Sequence, residues 1–242
     1  MHDFIKKYPV AVNILHLETS THVCSVALSK DEVCIFSKSN AEGMNHASML
    51  SPFIQEALQH LKSMGETLDA VAVSSGPGSY TGLRIGVSTA KGLCYGLDIP
   101  LISVSTLEIM TIGAKKQYSD NQDCLWVPMI DARRMEVYDA VYDQAGTIIR
   151  AAAATIVNEN TYRNLPANTP IYFFGNGAAK CKSVINLQNA HFIEDIHPLA
   201  ENMIEPAVQK YKQGLFEDVA YFEPLYLKEF QTTVPKKGMK RV

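Results

Sequence analysis

Two carboxylates stand at the ends of apolar runs, Glu18 after residues 12–17 and Asp131 after residues 125–130. Acidic side chains so placed can hold a divalent metal and its nucleotide across a cleft, and they can equally serve only to form turns. Between them lies a glycine turn, Gly76-Pro77-Gly78, which follows the apolar run 70–73 and opens a helical stretch. A strand, a glycine turn and a helix N-terminus leave backbone N–H groups unpaired, a geometry that cradles anions. The same stretch carries Gly82, Gly86, Gly92 and Gly96 inside the helix or at its end. Each interior glycine costs a helix about 1 kcal/mol relative to alanine. A partner packed close to the helix backbone therefore competes with the phosphate reading.

Several chemistries are excluded by spacing. The loop is not a Walker A motif, because the Gly-Lys-Ser/Thr ending is missing and Lys91 lies far down the helix. The spacing Gly76-x-Gly78-x-x-x-Gly82 is one residue off a dinucleotide fingerprint. Ser75, Ser79 and Ser88 have no histidine base nearby in sequence, and no Gly-x-Ser-x-Gly elbow occurs. His46 opens the first long helix, but Met49 and Leu50 occupy the positions where a second ligand would stand. No metal site and no resident cofactor are therefore expected, with a weak nucleotide site left open. The five cysteines are odd in number, widely spaced and without a Cys-x-x-Cys pair, as in reduced cytosolic proteins.

The elements that must carry these residues follow from periodicity. The chain has 242 residues, 47% of them apolar and 19% charged, with a net charge of −3. That is a folded protein without a global basic excess for nucleic acid. Its basic cluster is the tail, Lys236, Lys237, Lys240 and Arg241, expected to be a solvated terminus. Strands are predicted at 12–17, 23–28 and 33–36 with short turns between them, hence an antiparallel meander. Then come a helix over 44–64 with Pro52 in its first turn and Ser48 or Ser51 as cap, a strand at 70–73, the glycine helix 79–96, a buried strand at 100–104 and a helix over 106–116. After a polar connector the pattern restarts: strands at 125–130, 135–142 and 147–150, a buried strand at 171–174, a helix at 178–185, and a helix at 199–212 that Pro206 should bend.

This order predicts an α/β protein of two ribonuclease-H-like subdomains, in the manner of actin and the sugar kinases, with mixed sheets flanked by helices. The predicted boundaries are 1–117 and 118–242, the final segment packing back on the first subdomain. No signal peptide is visible, since Asp3, Lys6 and Lys7 interrupt the first residues, and no apolar run reaches the roughly 20 residues that span a bilayer. A cytoplasmic location without membrane contact is expected.

The segments 14–28, 75–86, 104–107, 130–138 and 223–228 resemble, in the same order, those of the TsaB family; the glycine loop and Asp131-Ala132-Arg133 are the most specific. The resemblance covers about residues 13–230. It implies a non-catalytic subunit of the bacterial machinery that makes threonylcarbamoyladenosine at position 37 of tRNAs reading codons that begin with A. The implied partners are TsaD, the catalytic sister of the same actin-like fold, and TsaE, an ATPase that joins the complex. Contact with tRNA would be indirect, and the chain alone would form a homodimer. The TsaB–TsaD contact is expected to be a bundle of N-terminal helices, which assigns partner binding to His46, Leu50, Ile54, Gly82, Gly86 and Ala90. TsaD carries a His-x-x-x-His pair on its first long helix, whereas here Leu50 follows His46. Glu18 replaces the family's usual aspartate. A vestigial nucleotide site would comprise Glu18, Gly76, Gly78 and Asp131. The alternative function is an actin-like ATPase or phosphotransferase using those same residues. A peptidase, suggested by the family's metallopeptidase-like grouping, is disfavoured by the missing second histidine.

Overall fold

The computed structural model describes residues 11–41, 45–118 and 123–228; the basic tail at 236–241 lies outside them. Short, largely apolar runs build a first sheet from β1 (Asn13–Glu18), β2 (Cys24–Lys30), β3 (Val33–Asn40), β4 (Ala70–Ser74) and β5 (Leu101–Val104), in the order β3-β2-β1-β4-β5. β1 pairs antiparallel with β2 and parallel with β4. A second sheet repeats that plan with β6 (Leu125–Asp131), β7 (Glu136–Tyr142), β8 (Ile148–Ile156), β9 (Ile171–Phe174) and β10 (Ala190–Ile193), in the order β10-β9-β6-β7-β8. In each half the first strand is central, with a meander on one side and parallel strands on the other. The predicted doubling of the pattern is thus a doubling of topology.

Two long helices, α1 (His46–Ser63) and α2 (Tyr80–Leu97), cover one face of the first sheet. Pro52 is the seventh residue of α1 and exposed, not in the first turn as predicted. It is tolerated there because the carbonyl it leaves free faces solvent. Neither Ser48 nor Ser51 caps α1; its N-cap is Asn45, and the Ser48 hydroxyl donates to the Asn45 carbonyl at 3.0 Å. Gly65, at φ +73°, ends the helix in the left-handed conformation that glycine adopts without strain.

The helix α3 (Thr106–Gln117) lies between the sheets. Its Ile109 joins the far face of the first sheet, while Leu107, Met110 and Ala114 join a cluster with Trp126, Ile130 and Phe174 of the second. The helix predicted at 178–185 is a single turn, α4 (Ala178–Cys181). The strand predicted at 147–150 runs on to Ile156, and β10 was not foreseen, because Ala190–Ile193 is short and ends among polar residues. In place of one bent helix at 199–212, a 3-10 turn (Ala200–Met203) leads into α5 (Ile204–Gln213). Pro206 sits in the first turn of α5, where its missing N–H costs nothing.

α5 does not pack on the sheet that precedes it. Met203, Ile204, Ala207 and Val208 close the core of the first sheet against Val12, Ile14, Ala72 and Val104. The following segment continues along the same half. The Glu217 N–H donates to the Leu101 carbonyl at 2.8 Å, the Lys91 ammonium donates to the carbonyls of Ala220 and Phe222, and the Leu225 N–H donates to the Ser75 carbonyl at 2.7 Å. A strap of residues 215–228 therefore ties the end of the described chain to β5, α2 and the glycine turn.

Candidate functional site

Two concave surfaces carry the residues singled out above: a cleft between the sheets and a groove between α1 and α2. The cleft, about 460 Å³, has Ser20, Thr21 and His22 of the β1–β2 turn and Gly78–Thr81 at the start of α2 on one wall. Asp131, Arg133, Tyr138 and Asn176 form the other wall, and Leu225–Lys228 of the strap lies in it. Tyr80 packs on Tyr226 with ring centroids 4.9 Å apart, and the Arg84 guanidinium lies 4.3 Å from the Tyr80 centroid.

Part of the backbone around this cleft is engaged by the chain itself. The Ser79 N–H, one of the donors a phosphate would need, is bonded to the Ser20 carbonyl at 2.7 Å. The Ser79 hydroxyl caps α2 by accepting the Gly82 N–H at 3.3 Å. Gly78 lacks a side chain because a Cβ there would collide with the Ser20 backbone, and Gly76, at φ +98°, lies under the Leu225 carbonyl. These glycines make room for the chain's own backbone.

Glu18 does not reach the cleft. It is fully buried beneath the β1–β2 turn, where its Oε1 accepts the Ser20 N–H at 2.5 Å. Burial pushes its carboxyl up to about 7, against the pull of hydrogen bonds from Ser20. A carboxyl that faces inward and accepts the N–H of its own turn is a turn-forming group, and the metal–nucleotide role expected of Glu18 is corrected on that ground. Asp131 does face the cleft, but its carboxylate pairs with Lys180 and accepts the Arg133 N–H at 2.9 Å. Of the four nucleotide candidates, then, Gly78 and Asp131 line the cleft while Glu18 and Gly76 lie outside it. Among the described residues no group of three His, Cys, Asp or Glu side chains converges on a point. His46 is 4% exposed and its Nε2 is 2.7 Å from the Thr21 carbonyl.

The residues expected to bind the partner are turned mostly into the molecule, and of the six only Ile54 also lines the groove between α1 and α2. His46, Leu50, Ile54, Gly82, Gly86 and Ala90 all belong to the inward stripes of α1 and α2 and are buried within this chain. Gly82 and Gly86 serve a contact inside the molecule. A Cβ on either would clash with Thr19, whose hydroxyl donates to the Gly82 carbonyl at 2.8 Å. The close partner of this helix backbone is the chain's own β1–β2 turn.

The outward face is different. α1 and α2 enclose an open groove of about 380 Å³ whose walls include Ser51, Gln55, Leu58 and Lys62 of α1 with Thr89 and Leu93 of α2, and Ile54 forms part of its floor. Beside it Gly92 and Gly96 are exposed, with no atom within 4 Å of where a Cβ would stand. Spacing alone does not separate the two glycine pairs: the fourteen residues from Gly82 to Gly96 turn a helix by about 1,400°, which leaves the two roughly 40° apart on the wheel, and it is the β1–β2 turn over the first half of α2 that covers one pair and not the other.

The family described as TsaD: tRNA N6-adenosine threonylcarbamoyltransferase matches residues 40–235. The tRNA threonylcarbamoyladenosine biosynthesis protein TsaB of Bacillus subtilis is 36% identical over 131 residues, 54% of this chain and 55% of that protein, so the matched region is about half of that relative. The Escherichia coli protein of the same description is 29% identical over 230 residues, 90% of this chain and 95% of that one. YeaZ from Pseudomonas aeruginosa has the same fold, with a TM-score of 0.73 and 27% identity over 89% of this chain and 100% of that structure. A second Pseudomonas aeruginosa structure, described as similar to peptidase YEAZ, reaches a TM-score of 0.77 at 27% identity, over 90% of this chain and 100% of that one.

Proposed function

The chain belongs to the family described as TsaD: tRNA N6-adenosine threonylcarbamoyltransferase, and from that premise we propose that it acts as its TsaB relatives are named to act, as a subunit of the threonylcarbamoyladenosine machinery that itself performs no chemistry. Its partner is a catalytic sister of the same fold, docked on the outward face of α1 and α2. The observation that carries this reading is the groove beside Gly92 and Gly96, where apolar walls adjoin helix backbone open to close approach. An exposed apolar surface of this kind marks an interaction site.

The hydrogen bonding at the glycine turn supports the non-catalytic assignment, because the Ser79 N–H, which a nucleotide phosphate would use, is bonded to the Ser20 carbonyl. On this reading the protein needs no cofactor, meets tRNA and the ATPase TsaE through the complex, works in the cytoplasm, and pairs with a second copy through the same groove when the sister is absent. No helix among the described residues is long and apolar enough to cross a membrane.

Reconstitution tests the proposal. Purified TsaD and TsaE should modify tRNA strongly only when this chain is added, and Leu93→Lys, which places a charge in the groove, should abolish both complex formation and stimulation. Modification indifferent to the chain would sink the subunit reading. Full stimulation by a folded Leu93→Lys variant would sink the choice of surface.

A further inference from the structure

The β6–β7 turn, part of the second wall of the cleft, holds two consecutive arginines in the left-handed backbone region, Arg133 at φ +72° and Arg134 at φ +49°. Glycine and asparagine enter that region readily, whereas a long side chain there is uncommon. The turn is closed around them. The Ala132 N–H donates to the Glu136 carbonyl and the Glu136 N–H to the Arg133 carbonyl, each at 3.1 Å. The Arg133 N–H donates to the Asp131 carboxylate at 2.9 Å. Both side chains are exposed. A strained backbone that carries such side chains directs attention to what they do.

The charges around the turn are matched except for these two. Asp131 pairs with Lys180, and Glu136 pairs with Lys228. Arg84 is bonded to Tyr226 and lies against the Tyr80 ring. Among the described residues no carboxylate pairs with Arg133 or Arg134. A local positive surplus therefore stands in a chain whose net charge is −3. Arg133 lies in the cleft, with Tyr138 and Tyr226 in the same walls, and Arg134 continues the charge beyond its edge. Unpaired guanidinium groups beside aromatic rings suit single-stranded nucleic acid, the arginines holding phosphates and the rings meeting bases. A mononucleotide in the cleft would reach Arg133 alone, whereas a strand passing over the rim reaches both.

We propose that this rim of the cleft binds a single-stranded loop of RNA, with successive phosphates on Arg133 and Arg134 and a base against the tyrosines of the cleft. The choice of RNA among polyanions rests on the subunit reading above. The rim shares no residue with the α1–α2 groove, so the sister and the RNA can be bound at once.

Fluorescence anisotropy of the full chain with a labelled RNA hairpin tests this. The hairpin should bind saturably at low salt. A blunt RNA duplex, AMP and polyglutamate, added as unlabelled competitors at equal charge, should displace it poorly. Arg133→Gly and Arg134→Gly relieve the backbone, so each should melt at or above the wild type. Each should nevertheless bind the hairpin about tenfold more weakly and lower the slope of log affinity against log salt by about 0.7. Arg133→Lys keeps the charge and should keep the slope. The proposal is overturned if the hairpin does not bind, if any of the three competitors displaces it as well as unlabelled hairpin does, or if the glycine variants bind as the wild type does. Capture of the catalytic sister, measured in parallel, should be the same for the wild type and both glycine variants. A glycine variant that loses the sister as well overturns the separation of the two surfaces. A wild type that fails to capture the sister sinks the subunit reading and leaves the RNA measurement standing, so the two failures are distinct.

Discussion

Glu18 shows how a residue type that suggests chemistry can serve architecture. Its carboxyl has an ordinary value of 4.5 and is raised to about 7 by burial. An acid whose folded value lies above its unfolded one binds more protons when folded. Its contribution is fully present below 4.5 and is lost as pH rises to about 7. Glu18→Gln should therefore stabilise the protein at pH 8, by about 3 kcal/mol on the size of that shift, and much less at pH 4. Melting temperatures of both proteins across that range check it, and a pH-independent difference would refute it. His16 acts in the opposite sense. Burial lowers its imidazole from 6.5 to about 3, so its contribution holds above 6.5 and is lost as pH falls toward 3. In the second sheet Asp139, fully buried, gathers Arg150, the Thr155 hydroxyl at 2.6 Å and the Tyr162 hydroxyl at 2.7 Å. Asp139→Ala strands those groups and should cost about 3 kcal/mol in denaturant unfolding.

At the scale of the element, α2 is one helix with two glycine pairs doing different work. Gly86→Leu should destabilise the isolated chain, since its side chain must displace Thr19 from between the sheet and the helix. Gly92→Leu meets nothing inside the chain and should leave the circular dichroism spectrum and melting temperature nearly unchanged while weakening capture of the catalytic sister. Equal unfolding by the two variants would contradict this division. The helices and central strands were legible because their apolar periods are long, and the glycine turn was legible because few residues tolerate its backbone. What the residues could not reveal was orientation. The glycine count showed that something approaches α2 closely, but only the fold identifies it as Thr19 on one side and open solvent on the other. Likewise the strand-end position of Glu18 was readable, whereas the inward direction of its carboxyl depends on how the next three residues turn.

The molecule as a whole is two copies of one sheet topology that exchange parts. α3 follows the first sheet yet packs heavily on the second, and α5 follows the second yet completes the core of the first. A division at residue 117 follows the sequence pattern and cuts through both exchanges. The strap fastens the arrangement at the glycine turn. Leu225→Pro removes the N–H that bonds the Ser75 carbonyl and should increase protease cleavage after Tyr221 and Phe222 while the two sheets remain folded. Unaltered cleavage kinetics would show that the strap is held elsewhere.

The return of α5 to the first sheet also has a consequence for synthesis. A ribosome delivers Val12 and Ile14 almost two hundred residues before Ala207 and Val208, the side chains that cover them. Until α5 has emerged, that face of the first sheet has only the cover that α3 supplies through Ile109. Stalled nascent chains ending near residue 200 should be digested readily by protease throughout their first half, and chains long enough to expose α5 should resist. The two halves repeat one design in space, but the first cannot complete its core until α5, which follows the second, has been made.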